Sequence, residues 1–307
     1  MYFSDIIIIN TVYMPKKTAV LHIEQFHDSH SHEDFYVNTM QEHLQTRHKD
    51  IALPHSHDFY LAMLFTKGNG FHEIDFTTYA VKPGTLFFLN PGQTHHWELS
   101  EDTEGYIFFH TQEFYDLYYT HNRINRFPFF YSMHQSPVIY CDALAENTIE
   151  RLFKWILEEN SNDKLLKKEA LTSLIDLVYT ESSRIYQQQN PAITDSHNGY
   201  YTKFREFEAL VERHFRELKL PSAYASLLAM TSRHLNRITQ SVIGKTAGDV
   251  IMDRVLLEAK KLLVLQRESF NEIAHSLGYE DYAYFSRLFK NKTGETPSEF
   301  LGRYGKR

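Results

Sequence analysis

The sequence predicts an α+β protein with an N-terminal β-barrel, a helix pair and a C-terminal all-α domain built from two helix-turn-helix motifs. Three observations support this. Short apolar runs interrupted by glycine and proline fill residues 52–110. From residue 142 onward the apolar residues recur at helical spacing. Beyond residue 200 one stretch occurs twice, and each of its landmarks returns after 49 or 50 residues.

The composition is that of a soluble globular chain of about two domains. Of the 307 residues, 42% are hydrophobic and 23% are charged. No apolar run is long enough to span a membrane, and the N-terminus lacks the basic region and apolar core of a signal peptide. The single cysteine, Cys141, excludes an intramolecular disulfide, and we interpret it as a small buried hydrophobe. We therefore expect a cytoplasmic protein with no membrane partner.

The β-strands are predicted from alternating runs and turns. Residues 59–65 and 85–89 are apolar and aromatic, and turn signals occur at residues 67–70, 82–84 and 90–92. Many short strands joined by regular turns are typical of a small barrel or jelly roll.

The helix pair is predicted downstream of Asp142. Its apolar positions are Leu144, Ile149, Leu152, Phe153 and Ile156, followed by Leu165, Leu166, Leu171, Leu174, Ile175 and Val178. They indicate two helices joined near residues 160–163. The pair either packs on the barrel alone or also holds two chains together as a homodimer, because the second helix has enough Leu and Ile for two faces. The Gln-rich and polar stretch that follows is typical of a linker.

The repeated stretch contains two helix-turn-helix motifs. Ala225-Ser-Leu-Leu228 recurs as Ala274-His-Ser-Leu277, and Gly244-Lys-Thr246 recurs as Gly294-Glu-Thr296. In each copy a short helix and a tight turn precede a second helix, which opens on a capping residue, Thr231 or Asp281. Two such motifs on one chain can read two consecutive major-groove segments of double-stranded DNA, about one helical turn apart.

Each second helix is predicted to have a buried face and a reading face. The buried residues are Leu235, Ile238 and Val242, packed on Ala225, Leu227 and Leu228, and in the second motif Phe285, Leu288 and Phe289. The first reading face presents Ser232, Arg233, Asn236, Arg237 and Gln240, and the second presents Tyr282, Ala283, Tyr284, Ser286 and Arg287. Arginine suits guanine, and Asn or Gln suits adenine. Lys290, Lys292 and Lys245 are expected on phosphates.

The charge distribution supports a nucleic-acid partner. The whole chain has a net charge of −7, but residues 200–307 hold 18 Lys and Arg against 13 Asp and Glu. Residues 1–199 hold 14 against 26. The C-terminal third is therefore the basic partner surface, and the acidic remainder discourages nonspecific binding to phosphate.

The residues of the repeat and of the helix that connects its copies resemble those of the AraC/XylS family of transcription regulators. The similarity covers residues 200–304, through Arg254-Val-Leu-Leu-Glu-Ala-Lys-Lys-Leu-Leu263, Leu277-Gly-Tyr279, Tyr284-Phe-Ser-Arg-Leu-Phe-Lys290 and Gly294-Glu-Thr-Pro297. One departure is Ala229, at a turn position where the family often has glycine. If that residue adopts a positive φ, alanine costs on the order of 1 kcal/mol. The resemblance implies promoter DNA, a small-molecule effector and RNA polymerase as partners.

Histidines mark the other candidate site. His55-Ser-His57 and His95, followed by Trp97, resemble the ligand positions of cupin domains, which often precede DNA-binding domains of this family. The fourth cupin ligand, a glutamate, is absent, because its expected places hold Leu61 or Ala62. A three-histidine zinc or iron site remains chemically feasible.

We expect no metal and no cofactor in this site. The effector-binding residues are predicted to be His55, His57, Tyr60, His95 and Trp97, with Phe59, Phe71 and Phe87 either stacked on a sugar ring or in the core. The remaining histidines, including His27, His30, His32, His43 and His48, are predicted on the surface.

These inferences predict a regulator that binds promoter DNA and responds to a small molecule, with sugars among the candidates. Residues 1–140 form the cupin-like sensor domain, residues 141–186 the helical hairpin for dimerisation, residues 187–199 a linker, and residues 200–307 the DNA-binding domain. No nucleophile, base and orienting group form a recognisable catalytic set, so we expect no enzyme activity. The alternative is a metal-dependent cupin enzyme that carries a nucleic-acid-binding domain.

Overall fold

The computed structural model describes residues 20–26, 34–47, 54–116, 124–131, 134–190 and 199–304. The chain divides into two compact units: the larger comprises Ala19–Leu257, and the smaller includes Glu258–Arg307. The α+β fold class is confirmed, with β-strands in the N-terminal part and helices alone in the C-terminal part.

The described residues of the N-terminal part form ten strands and five α-helices. The strands are Val20–Leu21 (β1), Phe35–Thr39 (β2), Ser56–His57 (β3), Tyr60–Lys67 (β4), Gly70–Ile74 (β5), Thr77–Val81 (β6), Thr85–Leu89 (β7), His95–Leu99 (β8), Glu104–His110 (β9) and Val138–Tyr140 (β10). The helices are Met40–Glu42 (α1), Gln112–Asp116 (α2), Pro128–Tyr131 (α3), Ala143–Asn160 (α4) and Lys167–Gln189 (α5).

Two main sheets form the β part. A five-stranded sheet has the order β10-β7-β4-β9-β2, and a three-stranded sheet has the order β6-β5-β8. Side chains of the five-stranded sheet alternate between two cores, as the two-residue period of a strand requires. In β4, Leu61, Met63 and Phe65 enter one core, whereas Ala62 and Leu64 enter the other.

Each face of the five-stranded sheet is covered by a different layer. The core that holds Met63 also contains Ile74 and Val81 of β5 and β6, so it lies between the two sheets. The core that holds Leu64 also contains Phe153 of α4 and Ile175 of α5, so the helix pair packs on the opposite face. The β part is therefore the double-sheet form of the predicted architecture, with one face closed by helices.

The predicted helix pair is confirmed, with a later start of its second helix. Asp142 caps α4, because its Oδ1 accepts from the backbone N–H of Ala145 at 2.9 Å. The apolar pattern included Leu165 and Leu166, which lie before α5 and are 90% and 60% exposed. Leu144, in the first turn of α4, is also exposed, since that turn lies beyond the edge of the shared core.

The C-terminal part is helical throughout the described residues. Its helices are Gly199–His214 (α6), Pro221–Leu227 (α7), Ser232–Ile243 (α8), Ala247–Leu265 (α9), Phe270–Ser276 (α10), Tyr282–Thr293 (α11) and Pro297–Tyr304 (α12). The predicted linker overlaps the end of α5 and the first residue of α6, and its residues 191–198 lie outside the described ranges. The boundary between the compact units falls within α9.

Helices α7 and α8 form the first helix-turn-helix motif, and α10 and α11 form the second. Thr231 caps α8 and Asp281 caps α11, as predicted: each side chain accepts a backbone N–H of the first turn. The predicted burial of Leu235, Ile238, Val242, Phe285 and Phe289 is confirmed.

Three predicted core positions of the motifs differ in the structure. Leu227 is 54% exposed, because the face that α7 turns inward is formed by Tyr224 and Ala225. The Tyr224 hydroxyl donates to the carbonyl of Leu218 at 2.9 Å, which satisfies its polar atom in the core. Leu228 and Leu288 are only partly buried.

The turn of the first motif contains a left-handed alanine. Ala229 has a φ of +52°, and Gly278, at the equivalent position of the second motif, has a φ of +81°. Both turns close in the same way, with Met230 N–H donating to the carbonyl of Ala225 and Tyr279 N–H to that of Ala274, each at 2.9 Å. Ala229 therefore adopts the positive φ that is costly for an alanine. The first turn is strained at this residue, whereas glycine adopts the same conformation in the second turn without strain.

Replacing Ala229 with glycine should raise the free energy of unfolding by about 0.5–1 kcal/mol, since the lost Cβ clash exceeds the added freedom of the unfolded chain. Urea unfolding followed by circular dichroism measures this change. Gly278→Ala is the matched control, and it should lower the free energy of unfolding. An Ala229→Gly variant that unfolds at the same or lower urea concentration would contradict the expected strain.

Candidate effector site and nucleic-acid interface

Four buried histidines meet between the two sheets, and we call His55, His57, His72 and His95 the histidine cluster. His55 and His95 form an isolated antiparallel bridge, with backbone hydrogen bonds of 3.0 and 2.8 Å. Their ring centroids lie 4.4 Å apart, and the His57 ring lies 5.1 Å from that of His95. The three histidines predicted from the sequence are therefore brought together.

The hydrogen bond of His57 fixes its tautomer. Its Nδ1 lies 2.8 Å from the carbonyl oxygen of Phe59, and a carbonyl only accepts, so Nδ1 carries the proton. His57 Nε2 is then an acceptor, and it is buried with no hydrogen-bond partner among the described residues. The ring stacks on Phe59 at 4.4 Å between centroids, which holds it in one orientation.

His72 is a member of the cluster that the sequence analysis missed. Its Nε2 lies 2.9 Å from His95 Nδ1, so one of the two rings donates to the other. His72 Nδ1 is buried without a hydrogen-bond partner in the described part of the chain. The pairing register of the two strands places it there. His72 in β5 lies opposite Trp97 in β8, and Trp97 is two residues beyond His95 on the same face of its strand.

His43 is buried beside the cluster, which overturns its predicted surface position. It is 2% exposed because it stacks on Phe26 at 5.9 Å and its Nδ1 lies 3.1 Å from the Tyr36 hydroxyl. His27, His30, His32 and His48, which share that prediction, lie outside the described residues.

Of the two predicted aromatic site residues, Trp97 joins the histidines and Tyr60 does not. The Trp97 ring lies 5.4 Å from both His72 and His95, and it is partly exposed. Tyr60 lies on the opposite face of β4, where it contacts His110 and Phe130 at 5.8 and 5.1 Å. The reason is the strand period: Tyr60 is one residue out of step with Phe59 and Leu61, which face the cluster side.

Burial keeps the imidazoles of His43, His57 and His72 neutral. Loss of hydration lowers the pKa of His43 and of His57 to about 3 and lowers the pKa of His72 well below its usual value. At neutral pH each ring then offers one donor and one acceptor without charge. In the described ranges, no group of three or more His, Cys, Asp or Glu side chains is arranged to hold a metal ion. Neutral imidazoles can exchange hydrogen bonds with uncharged hydroxyl groups.

In the first motif the predicted reading face is only partly open. Arg233, Arg237 and Gln240 are exposed, whereas Ser232 and Asn236 are half-buried. The Asn236 Oδ1 accepts from the backbone N–H of Ala247 at 2.8 Å and so satisfies the first turn of α9. Because that oxygen already accepts one hydrogen bond, Asn236 has a single lone pair left there for the two-bond pairing with adenine, which needs both the oxygen and an amide N–H.

The predicted reading residues of the second motif share one helix. Ala283, Tyr284, Arg287 and Lys290 are exposed on α11. Tyr282 and Ser286 are half-buried there, and Lys292 is exposed at the end of the helix. The Tyr282 ring stacks on Phe270 at 5.8 Å between centroids, with 6° between the ring planes. Tyr282 thus packs on α10 and contributes to the shape of the motif.

Lys245, predicted on a phosphate, forms an ion pair with Asp253. Its Nζ lies 2.7 Å from Asp253 Oδ2, and both side chains are partly exposed. The pair joins the loop after α8 to α9.

Comparisons with known proteins match two parts of the chain to protein families. Residues 43–175 match the family described as AraC-like ligand binding domain, and residues 224–303 match the one described as helix-turn-helix domain. The protein is thus a DNA-binding transcription regulator with a ligand-binding domain. It belongs to the AraC/XylS family.

Two transcription regulators and one solved structure are similar to this chain over most of its length. The HTH-type transcriptional activator RhaS of Escherichia fergusonii is 24% identical over 88% of this chain and 95% of its own length. The arabinose operon regulatory protein of Escherichia coli is 22% identical over 78% of this chain and 80% of its own. The structure of ToxT from Vibrio cholerae aligns with 87% of this chain and 98% of its own, at 14% identity and a TM-score of 0.42. None of the described helices is both long and apolar enough to cross a membrane.

Acidification should destabilise the protein through these histidines. Above about pH 6.5 both the folded and the unfolded state hold neutral imidazole, and as the pH falls the unfolded state takes up protons first. With folded pKa values of about 3 for His43 and His57, stability is lost progressively between pH 6.5 and 3. We expect a loss of about 1.4 kcal/mol per pH unit for each such histidine.

Urea unfolding at about pH 7, 6 and 5 measures the loss. His57→Phe should reduce the slope of the free energy of unfolding against pH by the contribution of one histidine, about 1.4 kcal/mol per pH unit. Stability that is constant over this range, or an unchanged slope in His57→Phe, would contradict a neutral buried His57.

Proposed function

We propose that the histidine cluster and Trp97 form the effector site, and that an uncharged sugar is the class of ligand bound there. The observation that supports this is the presence of two buried imidazole nitrogens, His57 Nε2 and His72 Nδ1, with no hydrogen-bond partner among the described residues. A buried polar atom without a partner is costly, and a ligand hydroxyl at this position would remove that cost.

The chemistry of the site favours a sugar over a charged molecule. Neutral histidines offer no ion pair to a carboxylate or phosphate, whereas each can exchange hydrogen bonds with hydroxyl groups. Trp97 supplies an aromatic surface for the apolar face of a sugar ring. One relative is named for an operon of a sugar, arabinose.

The effector signal is proposed to act on promoter DNA through both helix-turn-helix motifs. Arg237 and Arg287 read base edges, while Lys290 and Lys292 contact phosphates. We propose further that the regulator works as a homodimer through α4 and α5, with RNA polymerase as a partner. It acts in the cytoplasm and by binding rather than catalysis.

The effector proposal is tested by ligand binding to the full chain. Calorimetry with neutral monosaccharides, beginning with L-arabinose, is compared with the corresponding sugar phosphates. We expect a neutral sugar to bind and to raise the unfolding temperature. His57→Phe, which keeps a ring but removes Nε2, should weaken that binding by about tenfold.

Two further variants make the test specific. His72→Gln keeps a donor and an acceptor and should bind more tightly than His57→Phe. Tyr60→Phe is the matched control on the opposite face of β4, and it should bind like the wild type. Equal affinity of wild type and His57→Phe, or binding of the phosphorylated sugars alone, would refute this effector site.

A further inference from the structure

The guanidinium of Arg237 is held by two side chains outside the predicted reading face. Its Nη2 donates to His234 Nδ1 at 2.7 Å, and its Cζ lies 5.8 Å from the ring centroid of Tyr200. The rings of His234 and Tyr200 meet nearly edge-on, with centroids 5.7 Å apart and 80° between the planes. The three side chains are therefore in mutual contact.

The contact links α6 to α8, the second helix of the first motif. His234 precedes Arg237 by one turn on α8, where residues three apart are neighbours. Tyr200 is the second residue of α6, which packs against α8. Arg237 is therefore held both by its own helix and by a helix that is distant in sequence.

The hydrogen bond fixes the state of His234. A guanidinium has only donors, so His234 Nδ1 is an acceptor and carries no proton. Arg237 uses one of its five N–H groups in this bond, and the remaining four are sufficient for a two-bond pairing with guanine.

The second motif holds its equivalent arginine differently. The Arg287 Nε donates to the carbonyl of Ala283, in its own helix, at 3.3 Å. The position equivalent to His234 is Tyr284, which has no acceptor nitrogen. The contacts of the arginine with His234 and Tyr200 thus belong to the first motif.

We propose that Tyr200 and His234 are positioning residues that fix the Arg237 guanidinium for base recognition and thereby set the sequence specificity of the first motif. Arginine has a flexible side chain, and holding it in place beforehand reduces the entropy lost when it meets a base. This inference rests on the proposed base-reading role of Arg237.

The test compares base preference in full-length variants. A binding site is first selected from randomised DNA duplexes with the wild type, and affinities are then measured for every single base-pair change in it. Arg237→Ala should lose about tenfold or more of the preference at one base pair. His234→Leu and Tyr200→Leu should lose about three- to tenfold at that same base pair, because the guanidinium is no longer fixed.

Conservative variants and a phosphate control separate positioning from folding. His234→Gln keeps an acceptor and Tyr200→Phe keeps the ring, so both should retain the preference. Lys292→Ala should weaken binding to all sequences alike and reduce the salt slope by about one.

Two outcomes would reject the proposal, and they differ. If Arg237→Ala changes no preference, the base-reading role of Arg237 fails and the positioning role with it. If Arg237→Ala loses the preference but His234→Leu and Tyr200→Leu keep it, only the positioning role fails.

A second, independent contact joins the sensor to α9, the helix that follows the first motif. His134 lies before β10, and its Nδ1 is 3.7 Å from Asp253 Oδ2, the same oxygen that pairs with Lys245. The His134 side chain is only 6% exposed. All three residues belong to the larger compact unit.

The segment after His134 is fastened to the sensor core. The Tyr186 hydroxyl accepts from Ser136 N–H at 3.1 Å and donates to Gln135 Oε1 at 2.9 Å. The next strand, β10, pairs Val138 with Phe87, whose ring lies 4.6 Å from that of His72. The chain segment that carries His134 is therefore anchored beside Phe87, which contacts the histidine cluster.

We infer that His134 and Asp253 restrain the first motif, because Asp253 competes with DNA phosphate for Lys245.

In the full chain without added sugar, Asp253→Asn should raise affinity for all DNA sequences about three- to tenfold and steepen the salt slope by about one. His134→Ala should raise that affinity in the same direction. His22→Ala, at an exposed ion pair with Asp58, is the control and should change nothing. Folded His134→Ala and Asp253→Asn proteins with wild-type or weaker DNA affinity would overturn the inference.

Discussion

The burial of both faces of the five-stranded sheet is the constraint on which the rest of the sensor depends. Its central strands have almost no polar positions, because one face packs on helices and the other on a second sheet. The histidine cluster is brought together beside this sheet by β3, β5 and β8. Any polar group placed there loses its hydration and must find a partner. The same packing transmits small shifts between layers, since close-packed cores do not deform continuously.

The sequence predicted the parts of the histidine cluster that depend on local pattern. The His-x-His pair and His95 stand out in the chain and do meet. His72 and His43 were missed because their positions depend on pairing between distant segments. Tyr60 was predicted beside the histidines but lies on the opposite face of β4, and a one-residue step along a strand accounts for the difference, since adjacent residues face opposite layers. Periodicity predicts that a strand exists more readily than it predicts which of its faces meets a ligand.

The helix-turn-helix motifs show the same limit at a smaller scale. The repeat, the capping residues and the main buried positions were all predicted, because each follows from spacing along one helix. The engagement of Asn236 by the first turn of α9 was not, because it needs a backbone group from the next helix. The two motifs share a fold and differ in detail: one has a strained alanine in its turn and an arginine held by neighbouring rings, and the other has a relaxed glycine there.

The tautomer of His57 has a consequence for the kind of molecule that can bind beside it. With Nδ1–H committed to the carbonyl of Phe59, Nε2 can only accept, so a ligand group at that atom has to bring a proton to share. An ether or a ketone of the same shape would leave the nitrogen as unsatisfied as before. Sites built around such an atom reject analogues that lack the donor far more strongly than they reject a change of size. Methylating or oxidising the one sugar hydroxyl that donates to His57 Nε2 would thus weaken binding, whereas the same change at another hydroxyl would not affect this atom. The set of analogues that still bind would therefore show how the sugar ring is oriented.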